Sequence, residues 1–373
     1  MDFSPTEAHA ELAALTRRIL TDQVTQERLR KLEDGPDRFD PELWAILADT
    51  GVLAAALPES VGGGGLGLLE QCGVLAEMGR AVAPAPYLAS ITVASAALAR
   101  FGDDAQRERW AAPAAAGRLV LTAALENGPG TDGVAAAPGA AGGWVLTGTV
   151  TAVPAGPIAD LILVPAVTPA GRQVFLVEPG DPGVSVTRQR TVDSDSAGLV
   201  RLAGVALPAD RVLGGTEETA GGDVADWLVT RATVGLCAIQ LGVTERALEL
   251  TAEYARGRVQ FGRPIGGFQA VAQRLADAYV DVEAIRLTLW QAAWLVSTGQ
   301  AADAEVATAK FWAADAGHRV AHTAVHVHGG VGIDVDYPLH RYFVAAKRCE
   351  FALGGATEQL LRLGDTLAAE QPS

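Results

Sequence analysis

Three patterns of hydrophobic and polar positions follow one another along the 373 residues. Up to about residue 116, apolar side chains recur at mixed intervals of three and four, which gathers them on one face of a helix. Ser4-Pro5-Thr6-Glu7 supplies the first start signal, with Ser4 as N-cap, Pro5 in the first turn and Glu7 placed to return a capping-box hydrogen bond. Asp40-Pro41 repeats the signal, and the run LWAILADTGVLAAAL predicts a helix that continues to Pro58. Further helices are predicted over 68–80 and 88–101, between Gly and Pro punctuation.

Beyond Gly117 the pattern changes to short β-rich runs separated by turn residues: RLVLTAAL, GWVLTGTVTAV, ADLILVPAV, RQVFLVEP, GVSVTRQRTV and GLVRLAGVAL. Their spacing predicts an antiparallel sandwich or barrel rather than alternating βαβ units. The low-complexity stretch around 134–143 reads as a hairpin tip or flexible loop. Gly214-Gly215 and Gly221-Gly222 bracket a polar linker, and helical periodicity then returns over 225–255, 268–297, 304–328 and 342–367. The expected fold is α+β in three domains: an N-terminal helical domain over 1–116, a middle antiparallel β domain over 117–220 and a C-terminal helical bundle over 221–373.

Composition narrows the classes of function. Hydrophobic residues make up 49% of the chain and charged residues 20%, which is globular rather than disordered composition. A net charge of −15 argues against a phosphate-backbone partner, so any anionic ligand must meet a local basic site. The three cysteines, Cys72, Cys237 and Cys349, lie far apart without CxxC spacing, which points away from zinc and redox work and towards a reducing cytoplasm. The first twenty residues carry acids early, and no uninterrupted apolar run reaches the roughly 18 residues of a membrane span.

Four motifs bear on chemistry. Gly62, Gly64 and Gly67 have G-x-G-x-x-G spacing, but the segment about twenty residues on reads Ala-Val-Ala-Pro instead of supplying an acid, so a glycine loop is expected. His318, His322 and His326 recur every four residues with His328 close behind; packing or ligand hydrogen bonding is favoured over a metal, because no neighbouring carboxylate or cysteine completes a ligand set. Arg256, Arg258 and Arg263 cluster at a helix end and an adjoining turn, which suits either the helix dipole or a phosphate. Gly329 and Gly330 serve equally as helix C-caps or as a place where a bulky ligand approaches the backbone.

At this point the chain resembles the acyl-CoA dehydrogenase family. LWAILADTGVLAAALPESVGGGGLGLLEQCGVLAEMGRAVAPAPYL is similar to that family's N-terminal helical domain, and RVQFGRPIGGFQAVAQRLAD and HVHGGVGIDVDYPLHRYF to its two C-terminal motifs. In the family, an α-proton leaves the acyl thioester for a glutamate while a β-hydride passes to FAD, whose pyrophosphate and adenosine reach a neighbouring subunit. The resemblance implies that Arg258 pairs with the pyrophosphate beside Gln260 and Phe261, and that Gln269, His326, Gly329, Gly330 and Gly332 line the adenosine side. His326 stands where the family usually has glutamine.

The departures from the pattern are informative. The position of the catalytic glutamate falls on Leu353, and the alternative position used by a second group falls at or near Ala232, so no catalytic residue is expected in this chain. Asp226 and Glu350 are the nearest carboxylates. A positioned base contributes about 10²- to 10⁴-fold, so displacing it is a serious defect. TAALENGPGTDG only faintly resembles the flavin-facing loop, and VTAVPAGPIAD lacks the usual aromatic residue. This combination resembles the base-lacking subunit of bacterial steroid side-chain acyl-CoA dehydrogenases, which are two-plus-two heterotetramers. It implies a homologous partner carrying the base, a shared FAD, an acyl-CoA substrate and an electron-transfer flavoprotein as acceptor. The alternatives are a homomeric enzyme with a displaced base and a flavin-free structural subunit.

Overall fold

Thr6 opens the first helix: its side chain accepts a hydrogen bond from the His9 amide, and α1 runs Glu7–Gln23. The cap therefore lies beyond the expected Ser4, which with Pro5 falls outside the described residues. The computed structural model describes residues 6–126, 133–214 and 221–370. After α2 (Gln26–Glu33), Asp40 caps α3 (Pro41–Asp49) by accepting from the amides of Glu42 and Leu43. The helix expected to reach Pro58 stops at Asp49, because Gly51 turns the backbone to a φ of 78°.

Residues 62–67 form a loop between a 3-10 turn (Glu59–Val61) and α4 (Leu68–Ala81), with no strand leading into it. A π-helical segment (Leu88–Ser95) then runs into α5 (Ala96–Phe101), followed by α6 (Asp104–Gln106), a second π segment (Arg107–Ala111) and α7 (Ala112–Ala115).

Eight strands build one sheet: β1 (Leu121–Ala123), β2 (Val134–Pro138), β3 (Trp144–Pro154), β4 (Leu161–Thr168), β5 (Gly171–Val177), β6 (Val184–Arg190), β7 (Ser196–Leu207) and β8 (Val212–Leu213). Their order is β6-β7-β3-β2-β4-β5-β8, with β1 added on β4. Most pairs are antiparallel, but β4 accepts both β1 and β2 in parallel. Strand β2 lies in the stretch expected to be a hairpin tip or flexible loop. Alanine is a weak strand former, yet Val134 and Ala136 are buried on the core face while β3 supplies the ladder. Only the end of that stretch, after Pro138, is the hairpin tip. The core of the sheet gathers Leu146, Val150, Ile162, Val164, Phe175, Val177, Val200, Leu202 and Val205.

A 37-residue helix, α8 (Gly221–Gly257), follows. It is long and apolar enough to cross a membrane by composition, but 67% of its most apolar window is buried inside the protein. A two-stranded hairpin, β9 (Val259–Gln260) and β10 (Arg263–Pro264), leads into α9 (Gln269–Ser297), α10 (Asp303–His328), α11 (Leu339–Phe351) and α12 (Ala356–Glu370). The single helix expected over 342–367 is thus two, divided where Leu353 and Gly354 take φ values of 57° and 97°.

The chain divides into two compact units: Met1–Glu27, Leu68–Ala83 and Thr233–Ser373 in one, Arg28–Gly67 and Pro84–Ala232 in the other. In the first, α10 touches α9, α11 and α12. Its buried positions are mostly alanine, including Ala309, Ala313, Ala316 and Ala324, so its neighbours can approach closely. Fully buried Lys310 donates to the carbonyls of Cys349 and Glu350, which the end of α11 would otherwise leave without partners.

Candidate functional site

The last turn of α8 launches the arginine-bearing segment. The Arg258 amide donates to the Tyr254 carbonyl at 2.8 Å, and the Ile265 amide returns to the Arg258 carbonyl at 2.8 Å. Between them β9 and β10 pair across Phe261 and Gly262, both at positive φ (54° and 78°), the backbone twist a two-residue hairpin requires. The tight turn holds Phe261 out into solvent at 94% exposure. The Arg263 guanidinium lies over the Phe268 ring at 4.2 Å. Phe268 is the N-cap of α9 and provides no side-chain cap, so the first amides of α9, from Gln269, leave a positive helix end beside the hairpin.

A cleft of about 270 Å³ opens here, lined by Gln260, Phe261, Ile265, Phe268, Val271, Arg274 and His326 among others. The structure therefore brings together three of the predicted residues, Gln260, Phe261 and His326. Gln269 adjoins the lining residue Ala270, while Arg258 and the glycines of 329–332 lie outside the lining. Ile265, Phe268 and Arg274 were not anticipated. Their signal was the apolar and basic spacing across the start of α9, which reads equally well as ordinary amphipathicity.

Several arginines elsewhere in the unit are held in ion pairs. Arg80 pairs with Glu245 at 3.0 Å and Glu249 at 2.8 Å, and Arg286 with Glu245 at 2.7 Å. Among the described residues no carboxylate pairs with Arg256, Arg258, Arg263 or Arg274. Four cations without counter-charges on a chain of net charge −15 form the local basic site that an anionic ligand needs.

Helix α10 ends at His328, and Gly329 follows with φ 63° and ψ −140°, a conformation open essentially to glycine alone. Gly330 and Gly332 are glycines for different reasons. A Cβ on Gly332 would meet Val325 Cα at 3.0 Å and His328 Cβ at 3.1 Å, whereas a Cβ on Gly330 would meet nothing within 4 Å. Among the described residues nothing crowds a side chain at 330, which leaves that backbone open to a ligand's approach.

The four histidines separate. His318 and His322 have ring centroids 4.2 Å apart on α10, His326 enters the cleft, and His328 is buried against Tyr254 and Tyr337. Burial, and then the charges of His318 and Lys347, lower the His322 pKa from its ordinary value. No group of three or more His, Cys, Asp or Glu among the described residues is arranged to hold a metal.

The carboxylates near the expected base positions are committed elsewhere. Glu350 accepts from Lys347 at 2.6 Å and lies 3.2 Å from His318 Nδ1. Asp226 is exposed and accepts from Arg172 at 2.6 Å. Leu353 occupies the turn between α11 and α12, and Ala232 is buried in α8. In the sheet, the VTAVPAGPIAD segment carries a bulge between Val150 and Val153. Ala152 sits there at a φ of 52° with its amide held by Gln189 Oε1 at 2.7 Å, so the bulge presents a methyl group. Part of the TAALENGPGTDG loop lies outside the described residues.

These features are of the kinds one end of a dinucleotide needs: unpaired guanidinium groups for a pyrophosphate, an apolar cleft with amide and imidazole edges for a base, and an open glycine backbone.

Comparison with known proteins agrees. The acyl-CoA dehydrogenase N-terminal domain matches residues 6–118 and the C-terminal domain matches residues 219–365. Acyl-CoA dehydrogenase FadE27 of Mycobacterium tuberculosis is 53% identical over 99% of both chains. The fold superposes on a chain of the ChsE4-ChsE5 complex from Mycobacterium tuberculosis with a TM-score of 0.96, 53% identity and full coverage of both chains. It superposes on a chain of a Tcur3481-Tcur3483 steroid ACAD variant with a TM-score of 0.90 and 42% identity, covering 97% of this chain and 98% of that one. The helical N-terminal part, the central sheet and the C-terminal helices are those of one family, and this chain belongs to the acyl-CoA dehydrogenases, the FAD-dependent oxidoreductases of acyl-CoA thioesters.

Proposed function

We propose that this chain is one subunit of a heteromeric acyl-CoA dehydrogenase, giving the FAD pyrophosphate and adenosine half-site while a homologous partner gives the catalytic glutamate. The observation that carries the reading is an asymmetry within one chain. Arg256, Arg258, Arg263 and Arg274 have no carboxylate partners among the described residues, and the backbone at Gly330 is open, whereas the base positions hold Leu353 and Ala232. The flavin, when bound, supplies the hydride acceptor. This chain's part is to hold the other end: Arg258 against the pyrophosphate, Gln260 and Phe261 beside it, and Gln269, His326, Gly329, Gly330 and Gly332 along the adenosine side.

The division at 1–116, 117–220 and 221–373 follows the same logic, with the last part carrying the half-site. Similar solved structures support the assembly and the substrate class, since one is a two-protein complex and another is described as a steroid ACAD. A two-plus-two assembly in the cytoplasm, acting on a steroid side-chain CoA ester and passing electrons to an electron-transfer flavoprotein, completes the reading.

The test is isolation of the native complex, with its mass, subunits and flavin content determined together. The chain expressed alone should bind FAD poorly and show no acyl-CoA dehydrogenation. Robust turnover by the pure homo-oligomer would refute the proposal.

A further inference from the structure

The two segments that hold the proposed half-site, the hairpin after α8 and the glycine turn after α10, are distant in sequence and meet at one buried imidazole. His328, the last residue of α10, is 4% exposed. Its Nδ1 lies 2.8 Å from the Ala324 carbonyl, and since a carbonyl only accepts, the proton sits on Nδ1. Nε2 is then an acceptor, and the Tyr337 hydroxyl donates to it at 3.2 Å. The Tyr254 ring stacks on the imidazole with centroids 4.3 Å apart and planes 24° from parallel. Tyr254 is also the residue whose carbonyl holds the Arg258 amide, and His328 Cβ is what Gly332 packs against.

We propose that Tyr254, His328 and Tyr337 form a positioning clamp, which sets the Arg258 hairpin at the spacing from Gly329 and Gly330 that a bound FAD needs. This inference rests on the half-site reading above. None of the three need touch the cofactor. They act by fixing the last turn of α8, the end of α10 and the 337 turn to one another, which removes ordering that binding would otherwise have to accomplish.

The clamp requires a neutral imidazole. Protonation would force Tyr337 to reverse from donor to acceptor and would bury a charge against Tyr254. Facing groups are few: Glu253 and Arg246 on α8 act on Tyr337, Arg246 is engaged by Glu249 and Glu253, and His326 lies two positions earlier on α10. Burial already keeps His328 below its ordinary value of 6.5. FAD affinity should therefore be level above about pH 6.5 and fall as the pH drops through the lower His328 value.

The test measures FAD affinity of the purified native complex by flavin fluorescence between about pH 5 and pH 8, for the wild type, H328F, Y337F and R258A. H328F should weaken FAD about tenfold at neutral pH and abolish the acid step. Y337F should weaken it about fivefold and move the step to higher pH, because the neutral imidazole loses its donor. Wild-type affinity with an unmoved step in both variants overturns the clamp. If H328F fails to assemble, Y337F alone decides, since it removes one oxygen and keeps the ring. R258A separates the two levels: if it retains FAD, the half-site reading fails, and if it loses FAD while Y337F and H328F do not, only the clamp fails. Ring-nitrogen NMR of the isolated chain gives an independent check, where a proton on Nε2 instead of Nδ1 refutes the arrangement.

Discussion

Gly79 on α4 and Gly242 on α8 mark a crossing at which the two helices touch backbone to backbone. A Cβ on Gly79 would lie 2.1 Å from the Ile239 carbonyl oxygen, and one on Gly242 would lie 1.8 Å from that of Ala76. Neither obstacle is a flexible side chain. The crossing ties residues 68–83 to the C-terminal helices, and Tyr342 reinforces it by donating to the Arg80 carbonyl at 2.7 Å. Alanine at either position should lower the unfolding free energy by about 3 kcal/mol. The two costs should not add, because both relieve themselves by the same separation of helices. Urea unfolding of the single and double variants measures this, and a wild-type midpoint for G242A would be incompatible with the crossing.

The two glycines after α10 should separate on mutation. Gly332→Ala meets Val325 Cα at 3.0 Å and should cost about 1 to 2 kcal/mol in stability. Gly330→Ala meets nothing within 4 Å among the described residues and should leave thermal stability unchanged while weakening FAD in the proposed complex. Calorimetry combined with a flavin titration reads both, and a lower melting temperature for G330A with full flavin affinity would contradict the reading.

Neither available carboxylate should behave as a base. Glu350 is held by Lys347 and Asp226 by Arg172. In the native complex, Glu350→Gln and Asp226→Asn should each keep kcat/KM within about twofold of wild type. A hundredfold loss from either, the scale on which a positioned base contributes, would restore the displaced-base alternative.

Acid sensitivity should involve Asp40. Burial alone would raise its pKa, but hydrogen bonds from Arg28 and from the amides of Leu43 and Glu42 outweigh it and hold the carboxyl below 3.8. A carboxyl depressed in the folded state stabilises the protein above its unfolded value, and that contribution disappears as the pH falls through the folded one. Asp40→Ala removes the cap of α3 and should cost about 2 kcal/mol at neutral pH. The difference from wild type should shrink below about pH 4, which denaturant unfolding across pH would show.

Thiol reagents offer a further check. Cys72, Cys237 and Cys349 are buried, and burial pushes the Cys237 thiol up to about 12. Alkylation of Cys237 in the native protein should be negligible at neutral pH and become complete only on unfolding.

Much of the architecture is legible in the chain because long helices and alternating strands carry their period openly. The boundaries of α9 and α10 follow from apolar spacing alone. Strand β2 is not legible, since Ala135, Ala136 and Ala137 have little preference for strand, and they are held in place by the hairpin with β3 and by β4, where Ala135 lies opposite Val167. The break between α11 and α12 is hidden for a related reason: Gly354 and Gly355 interrupt a pattern whose apolar period continues on both sides. At the site, Arg258 and the glycines are visible as a motif. His328 is not, because its burial against Tyr254 and Tyr337 depends on how α8 and α10 end. Spacing also groups four histidines that the fold sends in different directions.

The turn that separates α11 from α12 has one more consequence. Its shape is kept by the buried Gln359 amide, which donates to the carbonyls of Leu353 and Gly354 at 3.0 and 3.2 Å, and by Gly354 itself. Neither hydrogen bond uses the Leu353 side chain. The hydrogen bonds that shape this turn are therefore indifferent to which side chain stands at 353, provided it tolerates the φ of 57°.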